Sequence, residues 1–122
     1  MILGTGIDII EVERIESATK KNAFIERIFT TAEQDYFEKT NYNPQTVAGA
    51  FAAKEAVAKA LGVGFGYVKW KDVEILHDEN GKPYVILHDG AYERMNDLAG
   101  KRVHVSISHI KQLAVAQAIL ED

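Results

Sequence analysis

The sequence predicts an α+β fold in which a largely antiparallel sheet packs on one long helix. Residues 45–61 are rich in alanine, leucine, lysine and glutamate with no interior proline, a composition that favours helix. Residues 102–109 set Val103, Val105 and Ile107 against His104, Ser106 and Ser108, the two-residue period of a strand. Residues 73–77 and 83–88 are strand-like and flank Asp78-Glu79-Asn80-Gly81, a hairpin turn signal.

Taken in order, the isoleucine-rich residues 2–12, with two early glycines, predict a strand, and residues 11–19 a short helix. Thr31-Ala32-Glu33-Gln34 fits a capping box, Thr31 accepting a free N–H while Gln34 reaches back, and opens a helix running through Lys39. Asn41-Tyr42-Asn43-Pro44 interrupts that pattern, and Pro44 suits the entry of the long helix. Gly62 suits a left-handed cap at its end. Residues 90–98 predict a helix closed by Gly100, and residues 113–120 a last strand with one small face of Ala114, Ala116 and Ala118.

A length of 122 residues suits one domain, 1–122, with a real core. At 47% hydrophobic and 26% charged the chain has the balance of a soluble globular protein. No window approaches the roughly 20 apolar residues of a membrane span, so no membrane association is expected. The first twelve residues contain Asp8 and lack a basic leader, so they do not read as a signal peptide, and the cytoplasm is the expected compartment. The absence of cysteine excludes disulfides, zinc–thiolate sites and cysteine nucleophiles. A net charge of −4 with scattered aromatics argues against a nucleic-acid partner, whose footprint is a concentrated basic patch.

The densest chemical signal lies in Phe51-Ala52-Ala53-Lys54-Glu55-Ala56-Val57-Ala58-Lys59-Ala60-Leu61-Gly62. Between Val47 and Val68 the only charges are Lys54, Glu55 and Lys59. A helix apolar nearly all round is usually buried, and a buried carboxylate needs a partner or a metal. At about 100° per residue, Phe51, Glu55, Lys59 and Gly62 form one stripe and Ala50, Ala53, Val57 and Ala60 another. Glu55 and Lys59 are either an i,i+4 surface pair or an acid and a base presented beside a core-filling face.

Asp8 sits in Gly6-Ile7-Asp8-Ile9-Ile10, where strand interiors are depleted in aspartate. It marks either a strand end or solvent face, or the second carboxylate of a site shared with Glu55. Two carboxylates on rigid elements suit a hard cation such as Mg²⁺ acting with substrate phosphates. Ser106 and Ser108 share a strand face with His109 at its end, and adjacent strand residues point oppositely, so Ser108 and His109 do not form a nucleophilic pair. Phosphate-binding hydroxyls and an imidazole, or a solvated strand end, are the two readings of this run. His77, His88 and His104 lack ligand spacing and read as surface or structural. Gly62-Val63-Gly64-Phe65-Gly66 follows a helix rather than preceding one, so helix capping and close backbone approach explain it better than a phosphate loop. Arg14, Lys20, Lys21 and Arg27, interleaved with Glu11, Glu13, Glu16 and Glu26, make a weak basic patch on a mixed surface.

Together these residues resemble the bacterial holo-[acyl-carrier-protein] synthases, the small trimeric type of 4′-phosphopantetheinyl transferase. The resemblance spans nearly the whole chain, through Gly6-x-Asp8-Ile9 with Arg14, Phe51-Ala52-Ala53-Lys54-Glu55-Ala56 with Lys59 and Gly62, Trp70, Gly81-Lys82-Pro83 and Ser106-Ile107-Ser108-His109. It implies the 4′-phosphopantetheinyl transferase fold and transfer of the phosphopantetheine arm of coenzyme A to a serine of apo acyl carrier protein, releasing 3′,5′-ADP. It implies Mg²⁺ held by Asp8 and Glu55, with Lys59 near the phosphates as the third catalytic residue. Lys59, Gly62, Ser108 and His109 are implied coenzyme A contacts, and Arg14, Phe24 and Arg27 carrier-protein contacts. It also implies a homotrimer with active sites between subunits, which the small faces of the long helix and last strand would fit. Ala50 stands where many relatives carry arginine, and Lys20-Lys21-Asn22-Ala23 is less basic than in many relatives. A non-catalytic coenzyme A or nucleotide-binding module on the same scaffold is the alternative; a purely structural interaction domain would leave the two acids without purpose.

Overall fold

The computed structural model describes residues 1–21 and 23–122; Asn22, in the segment noted above, lies outside them. Strand β1 (Ile2–Glu11) runs into helix α1 (Val12–Thr19), followed by α2 (Phe24–Ile28), α3 (Thr31–Lys39) and the long α4 (Pro44–Leu61). A 3₁₀ turn at Trp70–Asp72 leads to the hairpin β2 (Val73–His77) and β3 (Pro83–Leu87), then α5 (Asp89–Asp97), β4 (Arg102–His109) and β5 (Leu113–Glu121). The pairing is antiparallel throughout, in a three-stranded sheet of order β1-β5-β4 and a separate two-stranded sheet β2-β3. The α+β expectation holds, with the antiparallel strands divided between two sheets.

The ends of α4 follow the sequence closely. Pro44 occupies the first turn, where its missing N–H costs nothing, and the Asn43 side chain accepts from the Thr46 N–H at 3.2 Å. Gly62 ends the helix at φ +69°, a left-handed cap natural to glycine. At α3 the capping box is one residue earlier than expected. Thr30 Oγ1 accepts from the Glu33 N–H at 3.2 Å and Glu33 Oε1 accepts from the Thr30 N–H at 2.8 Å. Both registers satisfy the sequence pattern; Gln34 instead donates to the Phe29 carbonyl.

The inner face of the three-stranded sheet packs on α4. Ala114, Ala116 and Ala118 of β5 are buried with Ala52, Ala53, Ala56 and Ala60 of the helix. On β1, Gly4 and Gly6 carry the approach to contact: a Cβ on either would collide with the carbonyl oxygen of Ala60 or Ala56 respectively. The small faces are therefore consumed within the chain, where they bring helix and sheet together, and do not supply a subunit interface. A second apolar cluster, Val12, Ile15, Ile28, Phe29, Phe37, Val47 and Ala50, fills the space between α4 and the first three helices.

The loop after α4 departs from expectation. Gly62 serves as the cap, but a Cβ on Gly64 or Gly66 would meet nothing within 4 Å, so neither glycine is required by close backbone approach. No helix among the described residues is long and apolar enough to cross a membrane.

Candidate functional site

Strand alternation puts Gly6, Asp8 and Ile10 on the face of β1 turned towards α4, opposite Ala118, Ala116 and Ala114 of β5. Because Gly6 lets the strand touch the helix, Asp8 arrives beside the stripe that carries Glu55 and Lys59. Lys59 Nζ donates to the Ile7 carbonyl at 2.9 Å and to Asp8 Oδ1 at 3.3 Å. The ion pair of Lys59 thus runs across elements to Asp8, rather than along the helix to Glu55. The Asp8 side chain is 17% exposed and that of Lys59 53%, so the pair lies at the surface and not in the core.

Glu55 is half-buried beside this pair. Its pKa is raised, first by burial and then by the negative charge of Asp8, with Lys59 opposing the shift. Two carboxylates and one ammonium leave a negative excess of hard oxygen donors at one spot. That donor set suits a Mg²⁺ ion, which takes one or two carboxylates and completes its shell with water and phosphate. Among the described residues no group of three or more histidine, cysteine or acidic side chains forms a metal cage. Asp8 and Glu55 would hold a shared ion, not an enclosed one.

The charge buried in α4 is Lys54, not Glu55. Lys54 is fully buried and its ammonium contacts Glu33 Oε1 at 2.9 Å, the Trp70 carbonyl at 3.0 Å and the Val73 carbonyl. All three donors are used. Glu33, 1% exposed, also accepts from the Thr30 and Ile75 N–H groups. Burial pushes Lys54 down and Glu33 up, and each partner opposes the other's shift. The geometry supports a charged pair tying α4 to α3, β2 and the 3₁₀ turn. A signal existed, because Val47, Ala50, Lys54, Val57 and Leu61 share a helix face apolar everywhere else.

The remaining expected residues are distributed. Gly62 caps α4 one turn beyond Lys59, and the preceding Leu61 carbonyl is held by Arg94 Nε at 2.9 Å. Ser108 pairs with Val115, which pairs with Ile9, on the outer face of the sheet; with Ser106, Ile7 and Gln117 it borders a depression of about 290 Å³. His109 turns to the inner face and lines a separate cavity of about 170 Å³ with Tyr36, Gly49, His77, Gly81 and Pro83. Neither is next to Asp8 within one chain, since both lie on β4, two strands from β1, and Ser108 is also on the opposite face. Arg14 is exposed on α1, and Arg27 on α2. Phe24 stacks on Phe51 at 6.2 Å between ring centres, which links α2 to the helical stripe that continues to Glu55. Ala50 is buried in the second apolar cluster. His88 and His104 pair with Glu74 and Glu121, and His77 stacks on Tyr36 at 4.1 Å, the structural and surface roles expected of them.

The model of a family described as the 4′-phosphopantetheinyl transferase superfamily matches residues 4–117. This chain belongs to that superfamily. Within it, the holo-[acyl-carrier-protein] synthase of Alkaliphilus oremlandii is 55% identical over 120 residues, 98% of each chain. The holo-[acyl-carrier-protein] synthase of Clostridium perfringens strain 13 is 51% identical over 126 residues, 99% of this chain and 95% of the other. Phosphopantetheinyl transferase architecture is equally evident in three dimensions. The holo-[acyl-carrier-protein] synthase crystal structure from Neisseria meningitidis matches with a TM-score of 0.90 at 34% identity over 100% of both chains. That from Bacillus anthracis, in complex with CoA (3′,5′-ADP), matches with a TM-score of 0.83 at 42% identity, covering 100% of this chain and 98% of the other.

Proposed function

We propose that this protein transfers the 4′-phosphopantetheine arm of coenzyme A to a serine of apo acyl carrier protein, as a holo-[acyl-carrier-protein] synthase. The observation that carries the reading is the convergence of Asp8, Glu55 and Lys59 where β1 touches α4, in a chain of this superfamily. Related synthases of known structure, including that of Helicobacter pylori, are in complex with coenzyme A. The acceptor serine belongs to the carrier protein, which accounts for the lack of a nucleophile elbow here. Its oxygen bonds to the pantetheine-side phosphorus as the hydroxyl proton passes to solvent or to the departing phosphate, the bond from that phosphorus to the bridging oxygen breaks, and 3′,5′-ADP departs with the electron pair.

Asp8 and Glu55 would hold Mg²⁺ against the diphosphate, where the cation would offset charge on the phosphorus under attack and on the leaving phosphate. Lys59 has three donors, two of them engaged by Ile7 and Asp8, and the third is free for a phosphate oxygen. Asp8 therefore orients the lysine as well as contributing an oxygen. Gly62, one turn beyond Lys59 at the helix end, would contact the same ligand. Ser108 and His109 serve the nucleotide end, His109 from the cavity that it shares with Gly81 and Pro83. Arg14, Phe24 and Arg27 meet the acidic carrier, favouring encounter and register.

A homotrimer with sites between subunits completes this reading. The outer sheet face exposes Ile7 and Ile9, each 63% exposed, and that apolar surface calls for a partner. A neighbouring copy would also bring Ser108 and His109 to another chain's Asp8. The setting that suits a cysteine-free coenzyme A enzyme is the cytoplasm.

The direct test incubates the protein with apo acyl carrier protein, coenzyme A and Mg²⁺ and weighs the carrier. A mass gain of one phosphopantetheine supports transfer; unchanged mass with tight coenzyme A binding would make the chain a binding module instead. For the shared site, co-expressed Asp8→Ala and His109→Ala chains are expected to recover transfer that neither variant has alone. No recovery in mixed assemblies would place the whole site within one subunit.

A further inference from the structure

Between α2 and the 3₁₀ turn lies a groove of about 470 Å³, with Phe65, Val68 and Trp70 at its floor and Arg27, Lys69 and Lys71 at its rim. No acidic residue lines it, although the chain as a whole carries a net charge of −4. Among the described residues none of the three rim cations is in an ion pair. The nearby Asp72 is buried and its carboxylate accepts the Lys69 backbone N–H, so it does not cover the groove.

The floor is rigid. Phe65 stacks on Trp70 at 3.8 Å between ring centres, Trp70 on Phe51 at 5.0 Å, and Phe51 on Phe24. The Trp70 carbonyl is fastened by the buried Lys54 ammonium. One stacked row therefore joins the groove to Phe24 and, through Phe51, to the stripe that ends at Glu55 and Lys59. An apolar floor ringed by three unpaired cations is complementary to a protein surface that offers an apolar side chain between carboxylates.

We propose that this groove is a second docking surface for the acidic carrier protein, with Lys69 and Lys71 holding its carboxylates and the Phe65–Trp70 floor receiving an apolar side chain. The proposal rests on the carrier protein being the substrate, and it extends the contact surface from Arg14, Phe24 and Arg27 to the far wall. Electrostatic attraction at this rim raises the encounter rate and fixes the carrier's orientation.

The full-length Lys69→Glu/Lys71→Glu protein tests it, since both side chains are exposed. At low salt, KM for apo acyl carrier protein is expected to rise roughly tenfold with kcat and KM for coenzyme A unchanged, and the gap to wild type to narrow as salt screens the rim. A Lys69→Gln/Lys71→Gln protein is expected to fall between. An unchanged carrier KM at low salt would overturn the proposal. So would a raised coenzyme A KM alone, which would give the groove to the pantetheine arm. Binding of apo carrier to immobilised wild type and variant, read without turnover, separates this surface from the transfer reaction. Weaker binding by the variant supports the groove even if wild type transferred nothing, and equal binding removes it.

Discussion

Glu55→Ala is expected to lower kcat/KM for phosphopantetheine transfer by about a thousandfold, and Asp8→Ala by more. A cation between the diphosphate and two carboxylates supplies several kcal/mol of transition-state stabilisation, and each ~1.4 kcal/mol lost is about a factor of ten. The difference between the two variants follows from geometry. In the proposed site Glu55 would contribute one oxygen ligand, whereas Asp8 would contribute a ligand and already anchors Lys59 at 3.3 Å. Removing Asp8 leaves the ammonium with only the Ile7 carbonyl, so the third donor loses its aim. Raising Mg²⁺ should accordingly restore Glu55→Gln further than Asp8→Asn. Steady-state rates across a Mg²⁺ series, with circular dichroism to verify folding, check this. Turnover by Glu55→Ala within a few fold of wild type would remove the carboxylate pair from the mechanism.

Lys54→Ala is expected to cost about 3–5 kcal/mol of folding stability, because it leaves the Glu33 carboxylate buried without its countercharge. For a chain of this size that is a fall in Tm of roughly 10–20 °C, a large part of a typical domain's stability. The carbonyls of Trp70 and Val73 lose their donor in the same step. Lys54→Met retains the stem's bulk, so it separates the charge from the cavity. Paired with Glu33→Gln in a double-mutant cycle it should show strong coupling, the double variant losing less than the sum of the singles. Denaturant titrations of the four proteins give the cycle. Additive losses would mean that Lys54 and Glu33 act independently and that packing alone holds α4 in place.

The sequence announces much of this arrangement, and the reasons for its silences are physical. Pro44 and Gly62 bracket the long helix because their local chemistry decides, and the strand periods of β4 and β5 settle their faces without tertiary help. The α3 cap is ambiguous by one residue, since Thr30-x-x-Glu33 and Thr31-x-x-Gln34 read alike until a backbone chooses between them. Lys54 and Glu55 are adjacent, and the face that Lys54 shares with Val47, Ala50, Val57 and Leu61 marks the lysine, not the acid, for the core. Only packing reveals its partner, Glu33 on another helix. Lys59 likewise finds its partner in Asp8 across 51 positions of chain, a distance that no helical period encodes. Ser108 and His109 are adjacent in sequence and divided by the sheet, so no local period relates either of them to Asp8.

The contact of Gly4 and Gly6 with the carbonyls of Ala60 and Ala56 has a consequence for precision. Where side chains separate two elements, rotamer changes let the gap breathe. Here main chain rests on main chain, so the interval between the Asp8 and Glu55 backbones is a fixed dimension, set like a mechanical stop. Fitting a ligand is thereby left to the ends of side chains, chiefly the half-exposed Lys59, while the frame that spaces the two carboxylates stays the same from one turnover to the next.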